Sequence, residues 1–368
     1  MSFEKLTKFL DALPEIYGVP ICELSVRHKH ELVYRHTVGE LPHGKNTLYK
    51  LYSMTKLFTV TATMQFVEEG KIGLDDPVYK YLPAYKNLSF FQDGKIIPVR
   101  KVLTIRHLLS MRGGLSYNKS EAFHEACKNN ATTREITDII ADIPLLFEPG
   151  DNWFYSLAHD VLGAVLEVVA GKKFSEILSE KIMKPLGISD MGFFPDEEQK
   201  TRFAPIFRFN WEDFTSTPSE FELTQYISKN YESGGGGLFG SNDEYMKLPD
   251  ALANGGVGAN GVSIIKPETI ALIKENQLPP SEVHEFWAMK PGYGYGLGVR
   301  TLVDPGHAQS PGPVGEFGWD GALASYNMVD TDNNIAVVWT THMQDCRPAY
   351  REIHPHIRNL VYSGILEK

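Results

Sequence analysis

Leu51-Tyr52-Ser53-Met54-Thr55-Lys56 opens an apolar run that continues to Val67, with Leu57, Val60, Met64 and Val67 at helical spacing. This pattern predicts a buried helix. Residues three apart share a helix face, so Lys56 can reach the Ser53 hydroxyl. At the start of the helix, Ser53 also lies beside the positive end of the dipole, where an oxyanion would form. The arrangement suits a serine nucleophile activated by a lysine. The S-x-x-K spacing recurs at Ser2 and Lys5, Ser116 and Lys119, and Ser263 and Lys266, so the motif by itself carries little weight. A helix N-cap is the plainer reading of one such serine. The rest of the chain decides between the two.

The 368 residues, 42 % hydrophobic and 22 % charged, describe an ordinary globular chain of about two domains. A net charge of −10 with no dense Lys/Arg stripe argues against a nucleic-acid surface. No apolar run is long enough to span a membrane. Residues 1–20 are amphipathic, with Leu6, Phe9, Leu10, Leu13 and Ile16 at helical spacing, and they lack the apolar core of a secretory signal. Cys22, Cys127 and Cys346 are too few and too scattered for a disulfide framework. Together these features predict a cytoplasmic location.

Residues 20–27 and 32–38 alternate like two strands joined by a polar turn. From residue 74 to about 231 the sequence reads as helix and loop, with helices over 104–111, 162–169 and 174–183. Strand character returns over 295–303, 319–329 and 335–341, with Asp330-Thr331-Asp332-Asn333-Asn334 as a hairpin turn before the last. Residues 349–366 form an amphipathic tail. Strands at both ends and helices between them predict a discontinuous α/β domain, residues 1–75 and 235–368. A mostly helical domain, 76–234, is inserted in it. Gly234-Gly235-Gly236-Gly237 falls where the chain re-enters the first domain, and it lacks the Lys-Ser/Thr that a phosphate loop needs.

Several segments, taken in order, resemble the serine β-lactamase-related family of class C β-lactamases, D-alanyl-D-alanine peptidases and family VIII esterases. The resemblance covers nearly the whole chain. It begins with the Ser53 motif and Gly73-Leu74-Asp75-Asp76-Pro77-Val78. It continues through Leu108-Leu109-Ser110-Met111-Arg112-Gly113-Gly114-Leu115, where Met111-Arg112-Gly113 replaces the family's H-T-S. Phe154-Tyr155-Ser156, Lys184-Pro185-Leu186-Gly187-Ile188 and Tyr293-Gly294-Tyr295-Gly296-Leu297-Gly298 complete it. The implied fold is β-lactamase/transpeptidase-like, an antiparallel sheet flanked by helices. The implied catalytic group is Ser53, Lys56 and Tyr155. Tyr85-Lys86-Asn87 and Ser116-Tyr117-Asn118 imitate family motifs but stand in the wrong places. By the same resemblance, Trp319-Asp320-Gly321 is the strand lining the cleft, where relatives carry K-T-G or H-x-G. The Ala322 N–H would then complete an oxyanion hole with that of Ser53, such donors giving about 3–4 kcal/mol of transition-state stabilisation.

Two departures set the expected substrate. Leu157 replaces the Asn of Y-x-N, which bonds an acyl-amide, and Trp319 replaces a Lys that holds a carboxylate. β-Lactams and peptidoglycan stems present both groups, so a site without either partner disfavours them. The W-x-G pattern is that of family VIII esterases and some acyltransferase relatives. It implies a small neutral ester or related acyl compound, an acyl-enzyme and no cofactor. Leu157, Trp319, Asp320 and Gly321 are the expected substrate-contacting positions. Asp320 itself reads either as a solvated edge carboxylate or as a selector of cationic or hydroxyl-bearing substrates. His28 with His30, and His354 with His356, lack the surrounding ligands of a zinc site, so no metal is expected. A β-lactamase or D-amino-acid peptidase, an acyltransferase and a non-catalytic binding protein are the alternatives.

Overall fold

The computed structural model describes residues 1–220 and 228–366. Its centre is a seven-stranded antiparallel sheet. In spatial order the strands are Tyr293–Tyr295, Arg300–Leu302, Phe317–Gly318, Tyr326–Asp330, Ile335–Thr340, Cys22–His28 and Glu31–Val38. Ile335-Ala336-Val337-Val338-Trp339-Thr340 is wholly buried because both faces of the sheet are covered. Ile335, Val337 and Trp339 face one core, with Leu24, Val26, Leu6, Leu10, Ile357 and Val361. Ala336 and Val338 face the other, with Leu57, Val60, Leu162 and Tyr245. The terminal helices Glu4–Asp11 and His354–Leu366 therefore lie on one face and helix Thr55–Glu68 on the opposite one.

Helix Thr55–Glu68 is buried on nearly all sides. Its threonines remain compatible with that burial because Thr61 and Thr63 donate to the Leu57 and Thr59 carbonyls, each at 2.8 Å. Helix Ala158–Ala170 packs against it, and Gly171 in the left-handed region (φ 63°) ends that second helix.

Two expected strands are each broken in two. The segment 295–303 divides into Tyr293–Tyr295 and Arg300–Leu302, because Gly298 takes φ 79° to turn beneath His159 and Val60. The segment 319–329 divides around a turn at residues 321–324, closed by the Gly321 N–H on the Ser325 carbonyl at 2.7 Å. The stretch expected to be helix and loop also holds hairpins: Ser89–Gln92 with Lys95–Pro98, and Ile206–Phe209 with Ser216–Ser219. Asp93 and Gly94 turn the first with φ 50° and 76°. Among the described residues no helix is long and apolar enough to cross a membrane.

Candidate active site

Tyr52, at φ 46°, forces a sharp turn that brings Ser53 to the head of helix Thr55–Glu68. A segment from later in the chain clamps this turn. The Leu51 N–H donates to the Leu238 carbonyl at 3.0 Å, and the Leu238 N–H to the Thr55 hydroxyl at 3.1 Å. Ser53 makes no capping bond; its hydroxyl instead faces Lys56, with Nζ 3.1 Å from Oγ.

Lys56 is fully buried, and no carboxylate pairs with it among the described residues. Its amine donates to the Gly235 carbonyl at 2.6 Å, approaches the Tyr117 hydroxyl at 3.4 Å and lies 4.7 Å from the Tyr155 ring centroid. The four-glycine run thus has a use that its sequence did not disclose. Its backbone passes between the two helices, Gly234 accepting from the Thr59 hydroxyl at 2.6 Å and Gly235 from Lys56. A Cβ on Gly235 would collide with the Asp160 carboxylate. Asp160 is itself buried and accepts from the Tyr231 and Ser233 hydroxyls and from the Gly235 N–H. It therefore fixes the carbonyl that holds the lysine. Neighbouring His159 is buried beside Lys56; burial first, then the lysine charge, pushes its imidazole down to about 3, so it is neutral.

Tyr155 is positioned from below by the loop that resembles the family's L-L-x-H-T-S-G-L. Phe154 donates to the Met111 carbonyl at 2.9 Å, and Met111 sits at φ 57°. From the other side, Trp319 Nε1 donates to the Tyr155 hydroxyl at 2.8 Å. Trp319 does more than replace a lysine, since it fixes the phenol of Tyr155. Asn327 and Tyr245 tie this strand to the serine turn. Asn327 Nδ2 donates to the Trp319 carbonyl and to the Tyr245 hydroxyl, and Tyr245 donates to the Met54 carbonyl at 3.0 Å. Gly321 lies against the Leu51 backbone, where a Cβ would come within 2.8 Å of the carbonyl oxygen. The following residue, Ala322, is exposed, and neither its N–H nor that of Ser53 is engaged among the described residues.

One expectation needs correction: Asp320 is not a solvated carboxylate. It is 6 % exposed and held in an ion pair with Lys290, with Arg300 Nη1 at 3.5 Å and His354 Nδ1 at 3.7 Å. Burial pushes its carboxyl up, but the charges of Lys290 and Arg300 outweigh this and hold it at about 2. Leu157 is buried at the head of helix Ala158–Ala170, packed into the core. Tyr117, set aside on sequence grounds, stands in the site: its ring centroid is 5.5 Å from that of Tyr155.

A family model described as Beta-lactamase matches residues 6–359. Esterase EstB of Burkholderia gladioli is 28 % identical over 360 residues, covering 91 % of this chain and 88 % of that protein. Among solved structures, "EstCE1, a hydrolase with promiscuous acyltransferase activity" aligns with a TM-score of 0.81 at 26 % identity over 98 % of both chains. Simvastatin synthase (LovD) from Aspergillus terreus shares the fold, with a TM-score of 0.83, 20 % identity and 100 % coverage of both chains.

Proposed function

The chain belongs to the Beta-lactamase family of serine hydrolases, and from that premise we propose that it cleaves a small neutral carboxylic ester through an acyl-enzyme on Ser53. One observation carries this reading. The Lys56 amine lies on the Ser53 hydroxyl, while the cleft strand offers an indole, committed to Tyr155, where a carboxylate-holding cation would stand. Apart from Lys56 on the nucleophile itself, the nearby cations Lys290 and Arg112 are already paired, with Asp320 and Glu282. A substrate carboxylate reaching the cleft strand would find no counter-ion there, whereas a neutral ester loses nothing.

In the proposed reaction Ser53 Oγ attacks the ester carbonyl as Lys56 and Tyr155 accept its proton. The backbone N–H groups of Ser53 and Ala322 receive the oxyanion, and the dipole of helix Thr55–Glu68 favours the same charge. The pair then returns the proton to the departing alcohol. Water, activated in the same way, releases the acid and frees Ser53. An alcohol in place of water gives acyl transfer by the same steps, a second reading favoured by the description of EstCE1. The unbridged, buried Cys22 and Cys346 support a reducing, cytoplasmic location.

The test is intact-mass labelling with a fluorophosphonate, alongside turnover of p-nitrophenyl acetate, p-nitrophenyl butyrate and nitrocefin, with wild type and Ser53→Ala. A single adduct lost in Ser53→Ala, with ester turnover and no nitrocefin turnover, is the expected result. Rapid nitrocefin hydrolysis would overturn the argument from Trp319 and Leu157. A well-folded protein that takes no label and turns over nothing would leave the non-catalytic reading in its place.

A further inference from the structure

The chain carries a net charge of −10, yet one cavity on it is strongly cationic. It has a volume of about 370 Å³ and is lined by Lys290, Arg300, Arg351 and Arg358, with no carboxylate on its wall. None of Ser53, Lys56 and Tyr155 borders it. Behind the wall, Asp320 pairs with Lys290 and Arg300, and Glu316 lies 3.3 Å from Arg300. Arg358 has no such partner among the described residues. Its guanidinium donates to the Tyr293 hydroxyl, the Ala308 and Gln309 carbonyls and Asn359 Oδ1. Arg351 stands exposed at the rim. Three buried cations against two carboxylates (3 − 2) leave one buried positive charge uncompensated, and Arg351 adds a fourth cation at the rim.

Three of these cations are almost wholly withdrawn from water: Lys290 is 9 % exposed, Arg300 2 % and Arg358 3 %. Holding desolvated cations together with too few anions is costly unless something supplies the missing charge. Guanidinium groups are also suited to forked recognition of carboxylate and phosphate. The volume falls within the usual range for small-molecule sites of about 300–1,000 Å³. We propose that this cavity is a binding site, separate from the ester cleft, for a small anion bearing two or more carboxylate or phosphate charges.

The cavity and the cleft share a wall. Tyr350, which lines the cavity, donates to the Gly321 carbonyl at 2.7 Å and accepts from the Ala324 N–H at 3.2 Å. Lys290 grips Asp320, next to Trp319. An occupant that draws on Lys290 or Tyr350 acts on the turn carrying the Ala322 N–H, and so alters ester turnover. That coupling rests on the function proposed above; the binding itself does not.

Calorimetric titration of the full chain with citrate and with pyrophosphate, at ionic strength matched by sodium chloride, tests the site. Wild type and Ser53→Ala are expected to bind at least one of them saturably and equally, with a Kd below about 1 mM. Arg351→Ala, at an exposed position, and Lys290→Met, checked for folding by circular dichroism, are expected to weaken binding at least tenfold. Binding of citrate alone would identify a polycarboxylate site, and of pyrophosphate alone a phosphate site. No saturable binding of either anion, or binding that both variants leave unchanged, overturns the proposal. Turnover of p-nitrophenyl butyrate is expected to change at least twofold at saturation; saturable binding with constant turnover would overturn the coupling to the cleft.

Discussion

Trp319 shows how one side chain alters a familiar site. Its indole donates to the Tyr155 hydroxyl, and the Tyr155 ring in turn covers Lys56, so loss of this bond should act on orientation rather than affinity. A single hydrogen bond contributes roughly 1 kcal/mol, which corresponds to about a fivefold change in rate. Trp319→Phe should therefore lower kcat roughly fivefold toward p-nitrophenyl esters and leave KM nearly unchanged. A rise in KM at constant kcat would mean that Trp319 contacts substrate instead. Tyr155→Phe should cost about 10²–10⁴ in kcat, the range for a proton-transfer group. Tyr117→Phe should cost under about tenfold, since its hydroxyl lies 3.4 Å from Lys56 in weak hydrogen-bond geometry. Equal losses in the two tyrosine variants would make Tyr117 a second member of the proton network. Ser53 and Lys56 were legible in the sequence because a local spacing joins them. Asp160 and Tyr117 were not, since each meets Lys56 or its ligand only through packing of distant segments.

At the scale of elements, the glycine run and the turn at residues 321–324 are parts of the site formed by backbone. Gly235→Ala would drive a Cβ into the Asp160 carboxylate and displace the carbonyl that holds Lys56. Its expected effect is at least a tenfold slower fluorophosphonate labelling of Ser53, together with about 1–3 kcal/mol of destabilisation from overpacking. Labelling at the wild-type rate would show that Lys56 does not depend on this carbonyl. The hairpin at Asp93-Gly94 carried a readable Asp-Gly turn signal that the surrounding helical text obscured. Helix Asn242–Ala253 was harder to read, because Pro249 lies within it. The breaks at residues 296–299 and 321–324 follow from contacts with His159 and Leu51, which alternation along a strand cannot reveal.

For the molecule as a whole, three buried histidines tie stability to pH. Burial pushes His342 down to about 4 and His159 and His354 down to about 3. His342 accepts from the Lys50 N–H at 2.9 Å, and its other ring nitrogen donates to the Ala204 carbonyl at 3.0 Å, so the neutral ring is the form that fits. The unfolded chain takes up protons on these residues near pH 6.5, while the folded protein resists until about pH 4 or 3. Stability is therefore full above about pH 6.5 and is lost progressively as the pH falls through the folded values. Each histidine accounts for at most a few kcal/mol, at about 1.4 kcal/mol per pH unit. Asp320, held at about 2, has the same sign but acts only below pH 4, so it cannot produce a loss near pH 5. Urea midpoints should accordingly fall between pH 7 and pH 4.5. His342→Gln, whose amide can donate to Ala204 and accept from Lys50, should reduce that slope without abolishing it. A midpoint constant over this range would show that the histidines gain their protons without opening the core.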